Sequence, residues 1–397
     1  MRFYLLLLSG LAGSVCFAQD SDTTASVYRS IERIANKETF SIWKFDIPPE
    51  KIIKQTYTEG FRFGLGIYTN PRLSPWFSVG GYFGYGTRDK QSKYGASVSL
   101  YPEKNLNSEI KLRYANDLYG LTWSKETGIS ARKRWNRFDV ETQFMAQDIK
   151  VTFDYSYNGQ DMTAAWNRNT EAKFRLKYVH KPYKRTLPLS TTHYPIFFLN
   201  VRLGFPSDHI GSTYKYIKTE AGAEKSWNIR KIGVTTFSLR GGWMSNKMPY
   251  PLTFTVAAAG QSLFLTDNTN WRTNFQALTG NLYAANQYFN AFFYHNFGTS
   301  LFKTNSKIFR PQIAISQSFG WSKLNHPEEH ISTKFNILDM QTGYFESGIV
   351  IDDIIVIKTF NLLSFKFGGG LYAAYGSSVQ KPFEKTLTPK IRVVASF

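Results

Sequence analysis

The stretch Lys390-Ile391-Arg392-Val393-Val394-Ala395-Ser396-Phe397 decides the fold. Ile391, Val393, Ala395 and Phe397 share one face, and Lys390, Arg392 and Ser396 share the other, because successive side chains of a strand point to opposite faces. Outer-membrane barrels commonly end on such a strand, with an aromatic last residue that the assembly machinery reads. Ile391, Val393, Ala395 and Phe397 are therefore the expected barrel-assembly signature.

The same alternation recurs upstream. Phe61, Phe63, Leu65 and Ile67 alternate with Arg62, Gly64, Gly66 and Tyr68. Tyr94, Ala96, Val98 and Leu100 line one face of a later strand. Ile110, Leu112 and Tyr114 oppose Glu109, Lys111 and Arg113, and Ala172, Phe174, Leu176 and Tyr178 oppose Lys173, Arg175 and Lys177. Phe197, Leu199, Val201 and Leu203 oppose Asn200 and Arg202. A soluble β-sandwich alternates in this way too. Many aromatics fall near strand ends, however, where a membrane barrel places its two girdles.

After the N-terminal segment no apolar run approaches the ~20 residues of a helical span. Only helices and closed barrels satisfy every backbone polar group in hydrocarbon. The fold expected is an all-β, transmembrane antiparallel β-barrel of about 16 strands, with 14 as the alternative. The composition, 42% hydrophobic and 17% aromatic, fits a wall in which one residue in two faces lipid.

The beginning of the chain reads as an export signal over residues 1–18. Arg2 is the positive charge, Leu5, Leu6, Leu7, Leu8 and Leu11 are the apolar core, and Cys16 and Ala18 are small residues before a cut at Ala18–Gln19. Val15 ahead of Cys16 argues against a lipoprotein signal. The single cysteine leaves with the signal, so neither a disulfide nor a thiolate metal site is expected. Residues 19–57 read as a short periplasmic helix and linker. Val27, Ile31 and Ile34 recur at helical spacing, and Pro48–Pro49 breaks any helix. This segment would dock on the barrel, plug it or bind a partner. Residues 58–397 are the expected barrel, with long polar connections at 118–134, 181–194, 246–270 and 322–340.

The net charge is +19. With export, that charge points to outer-membrane lipid and lipopolysaccharide rather than nucleic acid. If the apolar faces meet lipid, then Lys111, Arg113, Lys173, Arg175, Lys177, Arg202, Lys390 and Arg392 line the lumen and favour anions. The alternative is that these cations pair with Glu109, Asp139, Glu141 and Glu171 and pack the lumen shut.

No catalytic residues, metal site or cofactor are expected. His326-Pro327-Glu328-Glu329-His330 has the spacing of a zinc peptidase motif. That motif needs a helix, and Ile331-Ser332-Thr333 follows at once. Asp352–Asp353 reads as a polar turn or lumen point. Gly80-Gly81-Tyr82-Phe83-Gly84-Tyr85-Gly86 reads as wall glycines among rings, since no helix follows to hold a phosphate. Six histidines show no spacing that selects a triad.

The stretch Glu59-Gly60-Phe61-Arg62-Phe63-Gly64-Leu65-Gly66 resembles the barrel start of a family of Gram-negative outer-membrane proteins of unassigned function. Met248-Pro249-Tyr250-Pro251-Leu252 followed by Gly260-Gln261-Ser262, and Gly343 to Ile357 running into Asn361 to Tyr375, are similar in the same order. Longer members of that family carry a carboxypeptidase-regulatory-like domain in front, for which residues 19–57 leave no room. The resemblance implies an outer-membrane barrel over 58–397 and supplies no catalytic residues. The function expected is passage or export of a solute or macromolecule across the outer membrane. The alternative is a non-conducting structural or assembly barrel that binds periplasmic or outer-membrane proteins.

Overall fold

The computed structural model describes residues 40–48, 51–56, 58–103, 106–179, 195–206, 212–230, 232–255, 264–265, 274–278, 282–306, 308–359, 363–379 and 386–396. Three short strands come first: β1 (Phe40–Ile42), β2 (Phe45–Ile47) and β3 (Ile53–Thr56). The wall begins with β4 (Gly60–Thr69), β5 (Phe77–Gly86), β6 (Ser92–Leu100), β7 (Ser108–Tyr119), β8 (Thr122–Trp135) and β9 (Phe138–Val151). It continues through β10 (Asn167–Val179), β11 (Ile196–Gly204), β12 (Tyr216–Ile229) and β13 (Gly233–Met244). The last strands are β14 (Gln287–Asn296), β15 (Gln312–Lys323), β16 (Met340–Thr359), β17 (Leu363–Tyr375) and β18 (Thr388–Ser396). From β4 to β18 each strand pairs antiparallel with the next in sequence.

The expected count of about 16 strands is met in an unexpected way. Fifteen long strands make the meander, and β2 and β3 lie end to end along the free edge of β4. Part of the segment read as a linker is therefore sheet. Residues 19–39, where the helix was expected, lie outside the described residues. Lys51, between β2 and β3, turns its ammonium inward over the Tyr82 ring at 3.9 Å and to 4.0 Å from Asp117. Gly64 permits that path, since a Cβ there would come within 2.8 Å of the Lys51 carbonyl oxygen. A continuous strand is interrupted where the chain dips into the lumen.

Among the described residues the sheet is not closed. The outer edge of β18 pairs in parallel with Phe264–Leu265, and no described pairing joins β18 to the β1–β4 side. Ile391 of β18 is 42% exposed and Lys390 beside it is buried. The side chains of Arg392, Val393 and Ala395, and all of Phe397, lie outside what the structure describes.

The outer face is apolar along the wall. Phe61, Phe63, Leu65 and Ile67 are 43–53% exposed, while Arg62 between them is 3% exposed. Leu112, Ile129, Phe197, Leu203 and Ile349 continue this face. Outward aromatics collect at both rims: Phe61, Tyr85, Trp166 and Trp243 at one, and Trp76, Trp135, Phe138 and Trp227 at the other. Residues 118–134, expected as a long connection, are instead the β7–β8 hairpin, turning at Gly120–Leu121. Lys125, Thr127 and Lys133 are polar residues on the outward side of β8, which hid its alternation. The described residues 246–255 and the stretch 324–339 do fall in connectors, while 181–194, 256–263 and 266–270 lie outside the described residues.

Asp352–Asp353 is a bulge within β16, not a turn. The register with β17 shifts between Ile351 and Ile355, and Asp353 has φ +54°. Residues 352–354 stand opposite Gly368 alone, and such surplus residues in one strand leave side chains free to re-aim. Asp352 accepts the Tyr294 hydroxyl at 2.9 Å, and Asp353 pairs with Lys366 at 3.4 Å.

Candidate functional site

The lumen is filled from one rim. In the connector between β13 and β14, the described residues 245–255, 274–278 and 282–286 fold against the inner faces of the strands. A one-turn 3₁₀ segment, Tyr250–Leu252, places Leu252 and Phe254 against Ile149, Tyr216, Met244 and Ala285. Further along, Phe275, Ala277 and Leu278 cover Phe292, Tyr294, Ala314, Tyr344, Val350 and Tyr372 on β14–β17. These inward aromatics would otherwise face water, so burying them holds the connector in place. Two polar pins add direction. Glu346 of β16 accepts the backbone N–H groups of Gln276 and Ala277, the former at 2.8 Å and the latter at 2.6 Å. Lys218 of β12 donates to the carbonyls of Leu252 (3.0 Å) and Thr253 (2.9 Å), with its ammonium 4.4 Å from the Phe254 ring.

Two other connectors complete a cap at this rim. Ser156–Tyr157 pairs with Gln160–Asp161 and with His330–Ile331, and Leu282–Tyr283 pairs in parallel with Ile337–Leu338. Phe153 packs edge-on against Tyr250 and Phe335. The segment with zinc peptidase spacing is part of this cap. Pro327–Glu329 is a single 3₁₀ turn, and His326 (φ +58°) contacts Glu328 at 2.9 Å. His330 is buried against Tyr155 and Tyr157, with Nδ1 2.9 Å from the Tyr155 hydroxyl. Burial pushes the His330 imidazole down to about 4. A neutral ring accepting the Tyr155 O–H fits, since that hydroxyl also accepts the Tyr250 N–H at 2.9 Å.

Under residues 250–255 lies a cavity of about 670 Å³, walled by β7–β12. Three of the expected lumen cations, Arg113, Lys173 and Arg202, line it, as do Lys218, Glu126, Glu171 and Glu220. The other expected residues lie elsewhere. Arg175 pairs with Glu141, one row further along β10. Lys111 and Lys177 are opposite Ser130 and Asp139, outside the cavity. Lys390 is buried near Glu346 across the lumen. Most of the basic residues have acidic neighbours: Arg113 with Glu126 at 3.3 Å, Arg202 with Glu171 at 3.8 Å, and Asp139 with Arg132 and Arg134.

A second polar centre, which the alternation did not single out, lies inside β4–β7. Arg62 donates through Nε to Glu59 at 2.7 Å and through its two terminal nitrogens to Asp117 at 3.2 and 2.5 Å. Tyr82 adds a 2.7 Å hydrogen bond to Asp117, and Lys93 pairs with Glu59 at 3.3 Å and with Asp89. Gly84 leaves room for the arginine: a Cβ there would sit 3.1 Å from Arg62 Cδ. Lys218, Glu220 and Glu346 were also missed. Met248–Leu252 stood out only as a motif, without any chemistry attached to it.

Comparison with known proteins matches this architecture. A family model described as "Family of unknown function (DUF5686) C-terminal domain" matches residues 150–310. No curated protein matches the chain. Among solved structures, the chain is similar to BamA from Haemophilus ducreyi lacking POTRA domains 1–3, with TM-score 0.51 and 12% identity, over 87% of this chain and 69% of that one. It is similar to CdiB from Escherichia coli, with TM-score 0.55 and 12% identity, over 90% of this chain and 63% of that one. The chain thus has the all-β, large antiparallel-sheet fold of these barrels.

Proposed function

We propose that this protein is an outer-membrane β-barrel that acts on envelope partners as a non-conducting barrel, its lumen stoppered by its own 245–286 connector. The observation that carries this reading is the seating of Phe275, Ala277 and Leu278 on the inner wall, with Glu346 holding two backbone N–H groups. The apolar outer face with aromatic rims supports residence in a bilayer, because a monomeric soluble protein rarely exposes such a surface. In this reading residues 1–18 are the cleaved export signal of a Gram-negative cell, and the last strand is read by the barrel-assembly machinery. The rim carrying the 245–286 and 324–339 connectors faces outward, since periplasmic turns are the shorter ones. Basic surfaces meet lipopolysaccharide, and the barrel has no catalytic role.

A second reading is passage of an anionic solute when the connector is displaced. The cations around the cavity favour it. Single-channel recording of the full chain in a planar bilayer separates the two. The wild type is expected to be silent, and replacing residues 248–278 by a short Gly/Ser linker is expected to produce steady conductance. A steadily conducting wild type would overturn the stoppered barrel and leave the passage reading.

A further inference from the structure

We infer that the cavity beneath residues 250–255 is a binding site for a phosphorylated sugar or a hydroxylated anion of that size. Lys173, Arg202 and Lys218 are direct cross-strand neighbours on β10, β11 and β12, so three cations stand side by side in one row of the wall. All three line the cavity. Like charges directly opposite one another on adjacent strands are destabilising, and a fold that keeps three together has a use for them. Internal partners do not cancel the row. Lys218 is satisfied by two neutral carbonyls, and Arg202 has Glu171 at 3.8 Å. The Lys173 ammonium has Glu171 and Glu141 as acidic neighbours but no hydrogen bond or close ion pair among the described residues.

The acceptors beside the row point to the rest of the ligand. Glu171 Oε1, the oxygen that faces Arg202 at 3.8 Å, and Asn200 Oδ1 are buried and accept no hydrogen bond, although Tyr216 and Glu220 occupy the other ends of these two groups. Buried acceptors without donors cost free energy, and hydroxyl groups of a ligand would supply the donors. Cations for the anionic group and acceptors for hydroxyls in the same wall together match a phosphosugar. The volume of about 670 Å³ lies within the range of small-molecule sites.

The inference deepens the stoppered-barrel reading, since the connector roofs the cavity. It is tested on the full chain in detergent micelles free of phospholipid, by calorimetric titration with glucose 6-phosphate, with glucose, and with lipid A. Glucose 6-phosphate is expected to bind at least tenfold more tightly than glucose. Lys173→Gln and Arg202→Gln are each expected to weaken binding about tenfold, through loss of a charge-assisted contact. Lys366→Gln, a lumen cation outside the cavity, is expected to leave it unchanged. Binding of lipid A alone, lost in Lys173→Gln, would assign the same chemistry to a lipopolysaccharide headgroup. Binding of neither ligand, or equal binding of glucose and glucose 6-phosphate, would overturn the inference even if the variants failed to fold. Conductance is recorded separately, so a barrel that conducts and still binds would remove only the stopper.

Discussion

Replacing Arg62 by methionine is expected to destabilise the barrel by about 3–4 kcal/mol. Arg62 is 3% exposed and bonds two carboxylates that are themselves buried, Glu59 and Asp117. Methionine keeps most of the side-chain volume but leaves both acids without their shared cation. Breaking a buried ion pair from one side costs roughly 3–5 kcal/mol, because the remaining charge stays desolvated. The lower part of that range applies here. Lys93 still reaches Glu59 at 3.3 Å, and the Tyr82 hydroxyl and Leu118 N–H still reach Asp117 at 2.7 Å each. The assay is urea unfolding of the micelle-embedded chain followed by tryptophan fluorescence. A triple variant, Glu59→Gln, Arg62→Met, Asp117→Asn, removes the stranded charges and is expected to recover all but about 1–2 kcal/mol, the residue of the lost hydrogen bonds. A loss below about 1 kcal/mol in Arg62→Met alone would refute the reasoning, since it would mean that water or a rearranged partner already compensates the two acids.

Two further outcomes follow from the outer face and the cap. Leu112, 56% exposed and midway along β7, is expected to cost about 2–4 kcal/mol when changed to arginine in lipid vesicles, and near nothing if that face meets water; urea midpoints of the wild type and Leu112→Arg in vesicles decide. His330, held down to about 4 by burial against an ordinary 6.5, takes up a proton in the unfolded chain before the folded one. Its contribution to the cap is therefore complete above pH 6.5 and falls away between 6.5 and 4, by up to about 3 kcal/mol. The wild type should lose its stability advantage over His330→Gln across that window, and a constant difference would count against the neutral, buried ring.

The period of two was legible wherever outward residues were uniformly apolar, as at Phe61–Ile67, Tyr94–Leu100 and Ile110–Tyr114, and those strands appear where expected. It failed at β8, where Lys125, Thr127 and Lys133 occupy outward positions near and between the rims. The linker reading failed for β2 and β3 because their ladder is completed by β4, not by any local pattern. The cation positions were legible as a face but not as a site. Alternation says that Lys173, Arg202 and Lys218 point inward on separate strands, while only register makes them neighbours.

The chain alone determined that strands alternate apolar and polar faces and that cations concentrate on the polar one. This follows from the fixed geometry of consecutive side chains, a property of any strand before it finds a partner. The tertiary structure decided what that polar face encloses. Whether Arg62 meets Asp117, 55 residues away, whether Glu346 catches the N–H groups of Gln276 and Ala277, and whether residues 250–255 roof a cavity all depend on contacts between segments far apart in sequence. Such contacts are set by strand register and by where a long connector finds apolar surface to bury, and neither is written in local periodicity.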